Sequence, residues 1–222
     1  MAEKKTGAAI HKQIPGQGIR LNRTQRCKQI AAVRKRQIMH AAYEVIAEKG
    51  YFNFTMMDIA QRAGVSSGLI HHYFKDKENM LVTLLREMQQ NIRSTLEKAL
   101  EGITDPRQKL EIFLDQAFGL VENEREFVYV KFDFLTQVKH NERMRRILTK
   151  LYRGYRETCS EILKEGKEKA TFIELDEHYM ATLIVSIFSG VGEQYIIDNT
   201  AFFYREYTDR MKSQIFEMIL AK

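Results

Sequence analysis

The sequence contains few residues that interrupt or cross-link a chain. Its 222 residues include no tryptophan, two prolines, 12 glycines and two cysteines. Because proline and glycine are the strongest helix breakers, their scarcity favours a helical protein. Cys27 and Cys159 cannot build a disulfide framework, and such sparse cysteine usage indicates a reducing compartment. A lone thiol is more often inert than redox-sensing.

Export signals and catalytic motifs are also missing from the sequence. It has no stretch of 18 or more uncharged apolar residues, and the charged N-terminus has no apolar segment of a signal peptide. We therefore expect a soluble, cytoplasmic protein. There is no glycine-rich phosphate loop, nucleophile elbow, CxxC or HExxH motif. We predict no enzyme activity, no catalytic residues, no metal site and no cofactor.

Positive charge is concentrated at the N-terminus. The net charge is +6, yet residues 1–36 hold ten Lys or Arg and one acidic residue. The remaining residues hold 25 bases and 28 acids, so the rest of the chain is close to neutral. A basic arm, defined as residues 1–33, is typical of a nucleic-acid contact at one end of a protein. The alternative is a solvated tail that improves solubility.

The segment from Thr55 to Lys77 has the form of a helix-turn-helix. Thr55 and Asp58 have the spacing of a capping box, in which each side chain bonds the other residue's amide. Gly64 can take the left-handed conformation that ends a helix, and Ser66 or Ser67 can cap the next one. That second helix has a suitable length to lie in a DNA major groove.

Residues 38–85 resemble the DNA-binding domain of the TetR family of bacterial transcriptional regulators. The matching pieces are Ile38-x-x-Ala41-Ala42, Gly50-Tyr51, Asp58-Ile59-Ala60, Ala63-Gly64-Val65-Ser66 and Tyr73-Phe74-Lys75-Asp76-Lys77. The resemblance implies an all-α fold with a three-helix DNA-binding domain at 34–80 and a helical effector-binding and dimerisation domain at 81–222. It also implies a homodimer that binds double-stranded DNA, most often a repressor released from a pseudo-palindromic operator by a small hydrophobic ligand.

The DNA contacts follow from groove geometry and from this resemblance. The start of the second helix would read bases through Ser67, Gly68, Leu69 and His71. Thr55, Tyr73 and Lys77 resemble family positions that contact phosphates. Residues 37–77 sum to zero charge, so Arg34 and Arg36 are expected to supply further phosphate contacts.

The remaining sequence predicts helices of two kinds. Residues 127–138 alternate as a strand would, but a single strand without a partner favours a helix there. Residues 176–198 are apolar on nearly all faces, which predicts burial against a second copy of the chain rather than in one core. An ordinary core helix is the alternative. The predicted dimer residues are Ile184, Ile187, Val191, Met211 and Ile215.

Aromatic residues of the second domain suggest a pocket for a hydrophobic or acyl-chain-like effector. The predicted lining residues are Phe113, Phe118, Phe132, Asp133, Tyr152, Tyr155, Phe188 and Glu193. The carboxylates would orient a polar or cationic group. If these aromatics form a closed core instead, the protein would be an effector-independent dimeric or architectural DNA-binding protein.

Overall fold

A computed structural model of the chain describes residues 22–221, apart from the side chains of Arg23, Thr24, Tyr51 and Glu126. Within that range the backbone forms nine α-helices and no strand, which confirms the all-α prediction. The helices are α1 (Arg23–Asn53), α2 (Met56–Ala63), α3 (Ser67–Tyr73), α4 (Lys77–Leu100), α5 (Pro106–Asn123), α6 (Arg125–Gln137), α7 (Glu142–Glu168), α8 (Glu177–Ile197) and α9 (Tyr204–Ile219).

The chain divides into two units between Arg36 and Gln37. Residues 1–21 of the basic arm lie outside the described residues. The apolar pattern predicts α1 securely only from about Arg34, yet the helix begins at Arg23. Asn22 and Gln25 explain this start, because each side-chain oxygen accepts the other's amide, at 2.8 and 2.9 Å. This pair is a capping box, and its residue spacing could have been recognised in the sequence.

The helix-turn-helix rests on a small apolar core in the second unit. Ile38 and Ile46 of α1, Ile59 of α2 and Ile70 of α3 are fully buried there. Gly50 interrupts α1 with a φ of 76° and a ψ of 165°, where the sequence predicts the helix to end. Most residues avoid this backbone conformation, so a glycine is required at the break.

The rest of the second unit consists of the helices α4 to α9. The segment with strand-like alternation is helix α6, as the absence of a neighbouring strand predicts. Its residues Phe127, Val128, Val130 and Phe134 are all buried, because a helix can turn a broad apolar face toward α5 and α7. Buried residues at i, i+1, i+3 and i+7 therefore fit one broad face of a helix but not one face of a strand.

Helix α8 has one buried face and one exposed face, and both carry large apolar side chains. Ile184, Val185 and Phe188 are buried, whereas Tyr179 is 67% and Ile197 is 80% exposed. By length and composition α8 is the one helix of the described residues that could cross a membrane, and 39% of its most apolar window is buried. Core helices of globular proteins pass the same test.

The connection between α7 and α8 is hydrogen-bonded to the residues at the end of α9. The amide of Ile173 donates to the carbonyl of Ile219 at 2.8 Å, and Phe172 pairs with Leu220 in an isolated antiparallel bridge. The Phe172 ring then packs on α7 at Gly166, which is buried. A Cβ atom at Gly166 would overlap that ring.

We predict that Gly166→Ala destabilises the protein by about 1–3 kcal/mol, because overpacking forces the Phe172 ring to move. The melting temperature should fall by roughly 2–10 °C. Gly154→Ala is the matched control on α7, because a Cβ there meets no atom within 4 Å. Its melting temperature should stay or rise, since alanine favours helices over glycine by about 0.5–1 kcal/mol. Equal losses in both variants would contradict this packing.

Candidate functional site

Helices α2 and α3 are held in place by three caps. The Thr55 hydroxyl accepts the Asp58 amide at 3.1 Å, and the Asp58 carboxylate accepts the Thr55 amide at 2.8 Å. Gly64 ends α2 in the left-handed conformation, with φ 63° and ψ 37°. Of the two serines proposed for the next cap, Ser66 takes the role, because its hydroxyl accepts the Leu69 amide at 3.3 Å. The capping box and turn are confirmed.

Ion pairs fasten α2 to α1. Lys49 contacts Asp58 at 2.8 Å, and the Arg62 guanidinium donates to both carboxylate oxygens of Glu48, at 2.9 and 2.6 Å. The hydrogen bond from Lys49, followed by those from the amide and hydroxyl of Thr55, lowers the pKa of Asp58 to about 2. Two cations, Lys49 beside the motif and Arg62 within it, are therefore paired with acidic residues of the protein.

Helix α3 presents one face to the core and the other to solvent. Ile70 of α3 and Phe74, which follows the helix, are buried. Gly68 and His71 are exposed, and Ser67 and Leu69 are half-buried. The four predicted base-reading residues thus occupy the first turns of α3. Among them, Gly68 has no side chain and is exposed.

The predicted phosphate-contacting residues lie in different environments. Lys77 donates to the carbonyl of Phe54 at 3.1 Å and lies 4.0 Å from the centroid of the Phe54 ring. Burial lowers the pKa of Lys77. Tyr73 is half-buried with its ring edge-on to His72, and the Thr55 hydroxyl already caps α2. Arg34 and Arg36 are exposed on the first unit. The phosphate roles remain predictions.

A large cavity, called the outer cavity, lies between α4, α5 and α7 and has a volume of about 700 Å³. Its apolar wall includes Ile92, Leu96, Phe113, Leu120 and Leu151. Its mouth is charged, with these lining residues: Arg93, Glu142, Arg145, Arg146, Lys150, Arg153, Glu157 and Glu161. An apolar interior with a charged mouth suits a small amphiphilic ligand.

A second space, called the inner cavity, lies deeper, between α5, α6, α7 and α8, with a volume of about 30 Å³. Lys131, Tyr152, Tyr155, Phe188 and Ser189 are among its lining residues. The two cavities are adjacent, since they share the lining residues Ala117, Leu120, Leu151 and Tyr155.

Half of the predicted pocket residues line these cavities. Phe113, Tyr152, Tyr155 and Phe188 do so. Four others line neither: Phe118, Phe132, Asp133 and Glu193. Phe118 is a core residue that packs edge-on against Phe188, and the Asp133 carboxylate points toward Gly50 instead. Sequence reasoning missed Lys131, because a lysine between apolar residues is usually on a surface.

The predicted dimer residues differ in their exposure, and their role in a dimer stays a prediction. Ile184, Val191 and Ile215 are 1%, 7% and 2% exposed in a single chain, so their side chains offer little surface to a partner. Ile187 and Met211 are half-buried. The exposed side of α8, called here its outer face, instead carries Tyr179, Thr182, Ser186, Gln194 and Ile197. Large apolar residues lie on both sides of α8, so its hydrophobic pattern did not separate the two sides.

An exposed, capped recognition helix followed by a helical domain with a cavity defines a helix-turn-helix regulator. Residues 38–84 match the family model for bacterial regulatory proteins of the tetR family. Residues 106–215 match the model for the C-terminal domain of BetI-type transcriptional repressors. The chain therefore belongs to the TetR family.

Individual relatives agree with this membership. The chain is 32% identical over 130 residues to a fatty acid metabolism regulator protein of Bacillus subtilis, covering 59% of this chain and 66% of that one. The chain thus spans just under two thirds of that relative's length.

Two solved structures share the fold. A putative regulator from Saccharomonospora viridis in complex with choline matches with a TM-score of 0.80 and 22% identity, covering 86% of this chain and all of the other. FadR from Bacillus subtilis in complex with stearoyl-CoA matches with a TM-score of 0.71 and 24% identity, covering 82% and 98%.

The depressed pKa of Asp58, caused first by Lys49 and then by the capping box, predicts that the stability of the DNA-binding domain depends on pH. A carboxyl whose pKa is depressed on folding stabilises the protein above its ordinary pKa of about 4 and loses that effect as the pH falls toward 2. We predict that Asp58→Asn is less stable than the unsubstituted protein at pH 6, and that the difference shrinks toward pH 2. Urea unfolding at several pH values measures it.

Lys49→Met is the matched control for Asp58, because Lys49 provides the largest cause of the depressed pKa. In that background the pH dependence of the Asp58→Asn effect should become weaker. A difference that stays constant from pH 6 to pH 2 would show that Asp58 stabilises the fold without its charge.

Proposed function

We propose that the protein is a sequence-specific transcriptional regulator, a homodimeric repressor that a small hydrophobic ligand releases from a pseudo-palindromic operator. The observation that carries this proposal is helix α3, which is capped at its N-terminus by Ser66 and exposes Gly68 and His71 to solvent. The protein is proposed to act in the cytoplasm, because its DNA target lies there. Residues 1–33 form the arm, 34–80 the DNA-binding domain and 81–222 the effector and dimerisation domain.

Base recognition is assigned to the first turns of α3. Gly68 has no side chain, so the helix backbone can approach the base edges closely. Leu69 can contact a thymine methyl group, and His71 can donate a hydrogen bond to guanine. Ser67 can donate to or accept from several bases. These few contacts would specify the DNA sequence but would add little positive charge to neutralise the phosphates.

Most of the phosphate contact must come from outside the motif. Lys49 and Arg62 are paired with Asp58 and Glu48, and Lys77 donates to the carbonyl of Phe54. In contrast, the sequence from Asn22 to Arg36 contains six bases and no acid. Arg34, Arg36 and the basic arm are therefore proposed to neutralise phosphates, with Thr55 and Tyr73 adding uncharged contacts.

The homodimer is proposed to form through α8 and α9. The outer face of α8 is exposed along its length, and Met218 of α9 is 45% exposed. Phe203, in the connection between these helices, is 84% exposed. Pairing two copies through these surfaces would cover apolar area and place two recognition helices on one DNA duplex. Ser186, a small residue, would allow close approach of the two α8 helices.

The effector is proposed to bind in the outer cavity. Helix α4 supplies Ile92 and Leu96 to its wall, and begins directly after the recognition helix with Met80 and Leu81 in the core. A ligand that displaces α4 would thus move α3. It regulates DNA binding only if it binds better to the arrangement that does not fit the operator.

The relatives support a ligand of this general kind. One is named for fatty acid metabolism, and solved relatives hold stearoyl-CoA or choline. The apolar wall of the outer cavity favours an acyl-chain-like effector. It also disfavours the alternative function of an effector-independent architectural protein, for which a closed core would be expected.

The test is DNA binding by fluorescence anisotropy, with the region upstream of the gene and a scrambled duplex at several salt concentrations. The protein should prefer the upstream region. Deleting residues 1–33 should weaken binding to both duplexes and flatten the slope of log K against log salt, because fewer counterions are released. His71→Ala should reduce the preference by about 5–100-fold, or 1–3 kcal/mol, with little change of slope.

His140→Ala is the matched control, because it removes an exposed imidazole from the effector domain. It should leave both affinity and salt slope unchanged. Equal affinity of the full chain for the upstream and scrambled duplexes would contradict a sequence-specific regulator. An unchanged salt slope after the deletion would contradict the role of the basic arm.

A further inference from the structure

The inner cavity contains a lysine whose charge has no hydrogen-bonded partner. Lys131 lies on α6 and lines this cavity among Val121, Phe127 and Phe188. Across residues 22–221 its ammonium has no hydrogen bond and no carboxylate within ion-pair distance, and it lies 5.7 Å from the centroid of the Phe132 ring. Burial lowers the pKa of Lys131, while the charge of Glu193 opposes this effect. Glu193 does not line the cavity, so it balances the charge only from a distance.

The hydroxyl groups around Lys131 are also unsatisfied. The phenol oxygen of Tyr155 and the hydroxyl oxygen of Ser189 are buried without a hydrogen-bond partner in the described part of the chain. Ser189 lies near the Tyr152 phenol, which also faces the cavity, but not in good hydrogen-bond geometry. A buried polar group without a hydrogen bond destabilises a protein by about 1–3 kcal/mol, and a charged group destabilises it by more. The residues that line this one small space thus include three with hydroxyl groups and one with an ammonium, all potential donors.

We propose that the inner cavity binds the compact anionic head of the effector, a carboxylate, with Lys131 as its counter-ion. This assignment rests on the proposed effector role of the outer cavity. Tyr152, Tyr155 and Ser189 would donate hydrogen bonds to the carboxylate oxygens. The apolar body of the ligand would lie in the adjoining outer cavity, against Phe113 and Leu151.

The charge distribution selects this orientation over two others. A quaternary ammonium placed in the inner cavity would meet the Lys131 ammonium in a poorly solvated space, where like charges repel strongly. An acyl chain that enters with its methyl end first would leave Lys131 and the hydroxyls without partners and press apolar carbon against them. A carboxylate satisfies all of these groups in one contact, and charge-assisted hydrogen bonds are the strong ones.

Direct binding to the full-length protein without DNA tests this inference. Calorimetry would compare decanoate, decanol, decyltrimethylammonium and decanoyl-CoA, which share one apolar chain length. The protein should bind decanoate about 10–100-fold more tightly than decanol, the range expected for a hydrogen bond to a charged group. Lys131→Met should abolish that preference while leaving the decanol affinity nearly unchanged.

Two further variants make the test specific. Lys150→Met removes a lysine from the charged mouth of the outer cavity and should keep the decanoate preference. Tyr155→Phe keeps the ring but removes one donor, and should reduce the preference partly, which guards against poor folding of Lys131→Met. Thermal melting without ligand verifies that each variant is folded.

The outcomes separate this inference from the proposed function. A preference for decanoate that survives Lys131→Met, tighter binding of decyltrimethylammonium, or tighter binding of decanoyl-CoA that depends on Lys150 would overturn it. Binding of none of the four would also overturn it, even if the protein recognises its upstream DNA. Lys131-dependent decanoate binding by a protein that ignores the upstream DNA would support the inference and refute the regulator.

Discussion

The presence of large apolar side chains on both sides of α8 is the constraint on which the second domain depends. One side of the helix packs into the chain through Ile184, Val185 and Phe188, and α5 and α7 lie against it. The other side still exposes Tyr179 and Ile197. A helix of this kind requires cover on both sides, and the proposed second copy of the chain provides it. The same contact would fix the distance between two recognition helices.

Charge is distributed so that the fold and the proposed function use different residues. Around the helix-turn-helix, Lys49 and Arg62 pair with acidic residues and hold α2 against α1, and Lys77 donates a hydrogen bond to the carbonyl of Phe54. These contacts stabilise the motif. The segment from Asn22 to Arg36 adds six bases and no acid. The residues that hold the helix-turn-helix together and the residues proposed to attract DNA phosphates thus lie in different parts of the sequence.

Local features of the fold were predictable from sequence, because they depend on a few neighbouring residues. The capping box at Thr55 and the left-handed Gly64 follow from residue types at fixed spacing, and both are confirmed. The early start of α1, which Asn22 caps, could have been predicted by the same rule. The family resemblance located the recognition helix, since it extends over 48 residues with several motifs in order.

Features that depend on the orientation of whole helices were not predictable. Ile184 and Ile197 have the same side chain and lie on the same helix, yet one is 1% and the other 80% exposed. Likewise, Phe118 and Tyr155 both fit an aromatic pocket by sequence, but only the latter lines a cavity. Lys131 lines the inner cavity because α5, α7 and α8 lie around it. Only tertiary packing distinguishes such residues.

The most direct test of the account is the mass of the protein in solution by sedimentation, together with its affinity for the upstream DNA. The account predicts a species of twice 26.1 kDa. Ser186→Arg on the outer face of α8 should give a folded monomer that binds this DNA weakly, because it presents one recognition helix. Glu168→Arg, at the exposed end of α7, should remain dimeric. A Ser186→Arg dimer, or an unsubstituted monomer that binds DNA tightly, would contradict the account.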